Sequence, residues 1–175
     1  MRKCKTIIAI DRIESRLQLS LSLGATHIIN TSDPSIDIGS EVRKITEGKG
    51  VHVSLDTTGV YELARQSYDF VRNFGKVLQV GLARPGDTWD IPMVDLMNSG
   101  KQILGCVQGD VISQLYIPDM VGYYKQGIFP IDKIVKFYDA GDFEQALRDM
   151  RRGVTVKPIL VWPHSNKKQG LALSL

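Results

Sequence analysis

Short apolar runs alternate with stretches of helical periodicity along almost the whole chain, and that alternation leaves few folds open. Residues 5–11 (KTIIAID) make a continuous β-branched run, which suits a strand covered on both faces. Residues 13–23 fit two patterns, because Leu17, Leu19, Leu21 and Leu23 alternate while Ile13, Leu17 and Leu21 share a helical face. Punctuation decides for a helix: Asp11 with Glu14 three residues on is a capping-box spacing, and Gly24 supplies a left-handed stop. Residues 27–30 (HIIN) read as a second strand, and the spacing of Ile38, Val42 and Ile45 predicts an amphipathic helix over 37–47, ended by Gly48 and Gly50.

The same rhythm continues. Residues 51–56 (VHVSLD) alternate as a strand, Leu63, Ala64, Ser67, Phe70 and Val71 mark a helix ended by Gly75, and 75–81 (GKVLQVG) is a strand. A short helix is expected around 93–98 and a strand over 102–108 (QILGCVQ). The last third reads as helix 112–126, strand 134–138, helix 142–152 and strand 157–162. Tyr116, Tyr123 and Tyr124 could form an aromatic stripe, and a helix core face explains them as well. Phe143, Ala146, Leu147 and Met150 set the core face of the last helix, with Asp142 as its cap. Connections of this length between buried strands imply right-handed crossovers, hence an α/β, doubly wound and mainly parallel sheet. No linker divides the chain, so residues 1–162 are expected to form one domain and 163–175 a flexible tail.

Composition excludes several classes of function. Lys and Arg number 22 against 19 Asp and Glu, a formal charge of only +3, too small to point to nucleic acid or an anionic membrane. The longest early aliphatic run, Ile7–Ile10, is far short of a membrane span or a secretory core. Cys4 and Cys106 form neither a CxxC pair nor a disulfide framework, which makes a cytoplasmic setting the expectation. His27, His52 and His164 stand apart from either cysteine, so no metal site is expected within the chain. The two cysteines read as small buried hydrophobes, and His52 as a surface residue.

Asp11 closes the first strand, and two readings of it stay open. It can cap the following helix, or it can accept hydrogen bonds from the hydroxyls of an adenosine ribose, as an acid at the end of a strand does in dinucleotide-binding sheets. In the second role its charge would repel a 2′-phosphate and favour NAD over NADP, though the neighbouring Arg12 could itself pair with a phosphate. The phosphate-binding turn GxGxxG occurs nowhere in the 175 residues.

Five segments carry a resemblance: SLGATHIINTS, VHVSLDTTG, GKVLQVG, SGKQILGCVQGD and VKPILV. In order and with few gaps, from about Cys4 to Trp162, the chain resembles the medium-chain, zinc-type alcohol dehydrogenases, and within them the aryl (benzyl) alcohol dehydrogenases. The resemblance implies the later part of an NAD-binding, Rossmann-like domain lacking its first, central strand and its glycine-rich turn. It implies that Asp11 holds the ribose and that Arg16 reaches its edge. Thr57, Thr58 and Gly59 would line the adenine and ribose side, and Val80, Gly81 and Leu82 would lie beside the nicotinamide. The backbone of Cys106, Val107 and Gln108 would hold the carboxamide, and Lys157 would stand near the pyrophosphate. Simpler readings accompany these: Thr58 as a cap, Gly81 as relief at a crowded strand end, Lys157 as a solvated charge.

The resemblance places the zinc ligands in a separate N-terminal catalytic domain, so no catalytic or metal-binding residue is expected here, and zinc belongs only to that missing part. The expected function is that of a fragment of an NAD-dependent enzyme that moves hydride between a primary alcohol, aromatic in the aryl branch of the family, and NAD, inactive alone and with cofactor binding weak or lost. The alternative is a non-catalytic module that pairs through strand 102–108 with a second copy or a full-length relative. A methyltransferase-like sheet leaves VKPILV unexplained. Without the central strand, 5–11 and 51–56 each keep an unpaired edge, to be closed by pairing with one another or with another chain.

Overall fold

The computed structural model describes residues 4–162. The described residues divide into two compact units, one of residues 4–32 and 112–162, the other of residues 33–111. The first unit is built from both an early and a late part of the chain.

In the second unit, α2 (Ile38–Ile45), β3 (Val51–Asp56), α3 (Tyr61–Asp69), β4 (Val71–Gln79), α4 (Met93–Ser99) and β5 (Gln102–Gly105) follow one another. The three strands form one parallel sheet in the order β3–β4–β5. Asp37 caps α2 by accepting from the Ser40 amide at 3.2 Å. Helix α3 ends earlier than its apolar spacing predicts: Phe70 is the cap and Val71 already belongs to β4. Tyr68, Val71 and Val77 form the buried core here, with Val51, Trp89, Ile91 and Leu96 packed around it.

Strand β3 turns two polar side chains inward at its carboxyl end, although Val51 at its start packs on the core. Ser54 and Asp56 are buried, while Val53 and Leu55 are 50% and 58% exposed. The polar face is the one turned inward because Asp56 finds a full set of donors there (below). Strand β4 carries an irregularity where its register with β3 shifts, and Phe74 sits at φ +59° with its ring against Gly100. Strand β5 stops at Gly105, and Gln108, Gly109 and Asp110 all take positive φ. The expected strand 102–108 is thus cut short, because left-handed backbone cannot continue a ladder.

In the first unit, β1 (Ile8–Asp11), α1 (Glu14–Ser22) and β2 (His27–Asn30) come from the start of the chain. From its later part come α5 (Ser113–Lys125), β6 (Val135–Asp139), α6 (Phe143–Arg151) and β7 (Lys157–Val161). Both strand pairs, β1–β2 and β6–β7, are parallel. Gly24, at φ +112°, stops α1 as its position suggests. The capping box does not form. Asp11 accepts from the Ile13 amide at 2.9 Å, and Glu14 instead binds Gln18 and Asn30, at 2.7 and 2.6 Å.

Helix α6 turns Ala146 and Asp149 inward, whereas Phe143, Leu147 and Met150 are exposed, and Asp142 makes no side-chain cap. Asp149 is held there by Tyr138 Oη at 2.8 Å and Gln145 Nε2 at 2.7 Å. Helix α5 has no buried residue, so its tyrosines are not a core stripe. Cys4 is exposed rather than buried, His52 is exposed as expected, and the predicted tail 163–175 lies outside the described residues.

The architecture is mixed α/β with parallel strands throughout, the pattern of a Rossmann-like fragment. The pairings β1–β2 and β3–β4–β5 match the 3-2 and 4-5-6 stretches of the 3-2-1-4-5-6 strand order, and β6–β7 is a further parallel pair. The second edge of β1 and the second edge of β3 have no strand partner among the described residues. Among those residues no helix is long and apolar enough to cross a membrane.

Candidate functional site

Parallel neighbours end at the same side of a sheet, so the segments after β3, β4 and β5 gather at one rim. They are Thr57–Gly59, Val80–Leu82 and Cys106–Gln108, which are three of the groups singled out from the sequence. Crevices at the carboxyl ends of parallel strands are where open α/β sheets bind ligands.

Asp56 organises that rim. Its Oδ1 accepts from the Thr58 amide at 3.2 Å and the Thr58 hydroxyl at 2.7 Å. Its Oδ2 accepts from the Gly59 amide at 3.0 Å and from Gln79 Nε2 at 2.8 Å. The Asp56 backbone carbonyl accepts from the amides of Val80 and Gly81, each at 3.0 Å. Burial pushes the Asp56 carboxyl up, but hydrogen bonds from Thr58, Gly59 and Gln79 outweigh it and hold the group below the usual carboxylate range. Asp56 and Gln79 are absent from the sequence-based set. The signal for Asp56 was present, since Asp followed by Thr-Thr-Gly at a strand end is the pattern of an Asx-turn.

Two glycines let the rim close. A Cβ on Gly81 would lie 2.2 Å from the Gly59 amide nitrogen, and one on Gly59, at φ +65°, would lie 2.2 Å from the Leu82 carbonyl oxygen. The loops after β3 and β4 therefore meet backbone to backbone. Gln79 Nε2 also donates to the Gly81 carbonyl at 2.8 Å, bracing the second loop. Thr58 Oγ1 accepts from the Val60 amide at 3.0 Å, which makes it a turn-former ahead of α3. Thr57, Val80 and Leu82 are left exposed.

Beside β4, the Cys106 amide donates to the Gln79 carbonyl at 3.0 Å, so backbone order extends one residue past β5. Val107 is exposed, and its amide is turned onto Asp110 Oδ1 at 3.1 Å.

The remaining predicted residues belong to the first unit. Asp11 ends β1 and is partly exposed; its Oδ2 lies 4.0 Å from Arg16 Nη1. Arg16 Nη2 donates to the Met150 carbonyl at 3.3 Å, while its Nε is buried without a partner among the described residues. Asp11 thus serves its own loop with one oxygen and keeps the other toward Arg16. Lys157 begins β7, opposite Val135, and is exposed. Among the described residues no three His, Cys, Asp or Glu side chains are grouped so that they could hold a metal ion.

Residues 1–122 match the family model described as zinc-binding dehydrogenase. The chain is similar to the crystal structure of benzyl alcohol dehydrogenase from Acinetobacter calcoaceticus, with 41% identity and a TM-score of 0.84, over 90% of this chain and 42% of that one. It is also similar to an alcohol dehydrogenase zinc-binding domain protein from Burkholderia ambifaria, with 40% identity and a TM-score of 0.85, over 91% and 42% of the two chains. Geraniol dehydrogenase from Castellaniella defragrans is 28% identical over 156 residues, which is 89% of this chain and 41% of that protein. The chain thus spans about two-fifths of the length of these relatives.

Proposed function

We propose, for a chain that belongs to the zinc-binding dehydrogenase family, that its residues supply the ribose and nicotinamide edges of an NAD site, and that hydride transfer to and from an alcohol needs the rest of a longer protein. One observation carries this reading: Thr57–Gly59, Val80–Leu82 and Cys106–Gln108 converge at the carboxyl rim of one parallel sheet. Identity of 41% to a benzyl alcohol dehydrogenase supports a primary, aromatic alcohol as the substrate of that longer protein.

The residues fit the cofactor in part. Asp11 offers the oxygen not used by Ile13 to ribose hydroxyls, Arg16 stands 4.0 Å from it, and the carboxylate disfavours a 2′-phosphate. Gly59 and Gly81 keep the rim low enough for a flat ring to lie against backbone, and exposed Val80 and Leu82 give that ring an apolar wall. Backbone at Cys106–Gln108 is suited to a carboxamide, and Lys157 offers a point charge to the pyrophosphate. When bound, the nicotinamide supplies the hydride chemistry. The 175 residues hold no GxGxxG turn to cradle the diphosphate, so affinity is expected to be weak. The described residues do not fit a zinc centre, and no step is derived through one.

Titration of the purified chain with NADH, followed by cofactor fluorescence, tests this reading. Weak, saturable binding that is lost on Asp11→Ala supports it. Turnover of alcohol by the chain with added zinc would overturn the claim that more residues are needed.

A second reading rests on β5. Its four residues are all exposed and its outer edge has no strand partner among the described residues, which supports pairing with another copy or with a full-length relative. A monomer by light scattering that also fails to capture such a relative would remove this reading.

A further inference from the structure

The amino ends of β3 and β4 frame a cleft of about 490 Å³, at the other end of the strands from the rim just described. Gly50, at φ +77°, shapes its floor: a Cβ there would lie 2.6 Å from the Phe70 carbonyl oxygen and 3.0 Å from the Arg72 amide nitrogen. Only glycine lets these backbones approach so closely.

The lining is charged and unbalanced. Arg43, Lys49, Arg72 and Lys101 face one carboxylate, Asp69, which Arg65 already engages at 2.7 Å from one turn earlier on α3. Lys49 is paired with Glu47 at 2.9 Å. Lys101 Nζ donates to the Tyr68 carbonyl at 2.8 Å and Arg43 Nη2 to the Asp69 carbonyl at 3.2 Å, as cations do at the negative end of a helix. Each has donors to spare, since an ammonium has three and a guanidinium five. Arg72 is exposed, and its guanidinium has no hydrogen bond or ion pair among the described residues. Burial holds the Lys101 ammonium below the usual lysine range, and Arg43 and Arg65 add to this against Asp95 and Asp69.

We propose that this cleft is a phosphate-type anion site, separate from the cofactor rim, in which Arg72, Lys101 and Arg43 grip a tetrahedral dianion. Three cations with spare donors match the several acceptor oxygens and double charge of a phosphate, and a guanidinium can bind two of those oxygens at once. A carboxylate monoanion would leave most of the charge uncompensated. The ligand is either free phosphate or a phosphomonoester, and it does not depend on the dehydrogenase reading.

The test is an amide NMR titration of the whole chain with inorganic phosphate at constant, low ionic strength, alongside a titration with glycerol phosphate, a monoester with no nucleoside for the cofactor rim to hold. Saturable shifts are expected at residues 48–50, 70–73 and 101, with none at Thr58, Gly59 or Gly81. Arg72→Gln, at an exposed position, should keep the dispersed spectrum and weaken binding about tenfold. Lys49→Gln should change it less than about twofold, because Lys49 is already paired. Tighter binding of glycerol phosphate identifies a monoester as ligand, and tighter binding of phosphate the free ion. Shifts that never saturate, that spread over all basic residues, or that are unchanged in Arg72→Gln overturn the site.

Discussion

Gln79 Nε2 donates to Asp56 Oδ2 at 2.8 Å, a side-chain link across the ends of two neighbouring strands. Through it one carboxylate holds both loops of the rim, one by Thr58 and Gly59 and the other by Gln79 and Gly81. Asp56→Asn keeps the shape but replaces an acceptor of four donors by a group that must also place an NH₂ among them. A buried, charge-assisted set of this kind is worth about 2 kcal/mol or more. The urea midpoint should fall accordingly, and the amide signals of Thr58, Gly59 and Gly81 should move most.

The same link sets a pH dependence. The folded carboxyl of Asp56 titrates below its unfolded value, so its contribution is complete above about pH 4 and is lost as pH falls through the lower, folded value. Urea midpoints measured from neutral pH downward should drop in the acid range. Asp56→Asn should flatten part of that drop; an unchanged acid slope would show that other carboxylates carry it.

Glycine substitutions should separate two causes of cost. Gly48 has φ +80° but open space around a Cβ, so Gly48→Ala costs only the left-handed backbone, about 1 kcal/mol. Gly59→Ala adds a clash 2.2 Å from a carbonyl oxygen, and Gly81→Ala one 2.2 Å from an amide nitrogen. Both should exceed the Gly48 variant by about 2 kcal/mol or fail to fold, because backbone cannot move aside as a side-chain end can.

Much of the fold was legible because period and punctuation agree where an element is local. Strand 27–30, strand 51–56 and the ends of α1 and α2 follow from apolar spacing and from Gly24 and Gly48. What sequence could not place depends on partners distant in the chain. Alternation in VHVSLD marks a strand but not that Val53 and Leu55 face outward, while the donors of Gln79 and the following turn hold Asp56 inward. Phe143, Leu147 and Met150 have the right spacing for a core face, but Tyr138 fixes Asp149 and turns the helix. At the rim, the loops carrying the candidate residues were legible by position, while the Asp56–Gln79 link that shapes them was not. It joins residues 23 apart in sequence and needs the register of β3 on β4 to be known.

In the first unit, Tyr138 Oη lies 2.6 Å from Thr155 Oγ1 and donates to Asp149 at 2.8 Å. Tyr138→Phe and Thr155→Val should each lower the urea midpoint, since each leaves a polar partner poorly satisfied away from water. The double variant should lose less than the two losses added together. Full additivity would mean that the hydroxyls act independently.

Val53 and Leu55 present an apolar stripe on β3 to solvent, 50% and 58% exposed, next to an edge without a strand partner among the described residues. Exposed apolar strands beside open edges are prone to self-association. Because the two side chains contribute little burial, replacing both by Thr removes apolar surface without removing core, and Thr keeps the β-branched preference for a strand. The pair Val53→Thr and Leu55→Thr should leave the urea midpoint within about 0.5 kcal/mol, reduce binding of a hydrophobic dye, and raise the concentration at which the chain stays monomeric in light scattering. If the midpoint instead collapses, the stripe is buried in solution by a second chain, and the same scattering experiment on the parent chain will show an oligomer.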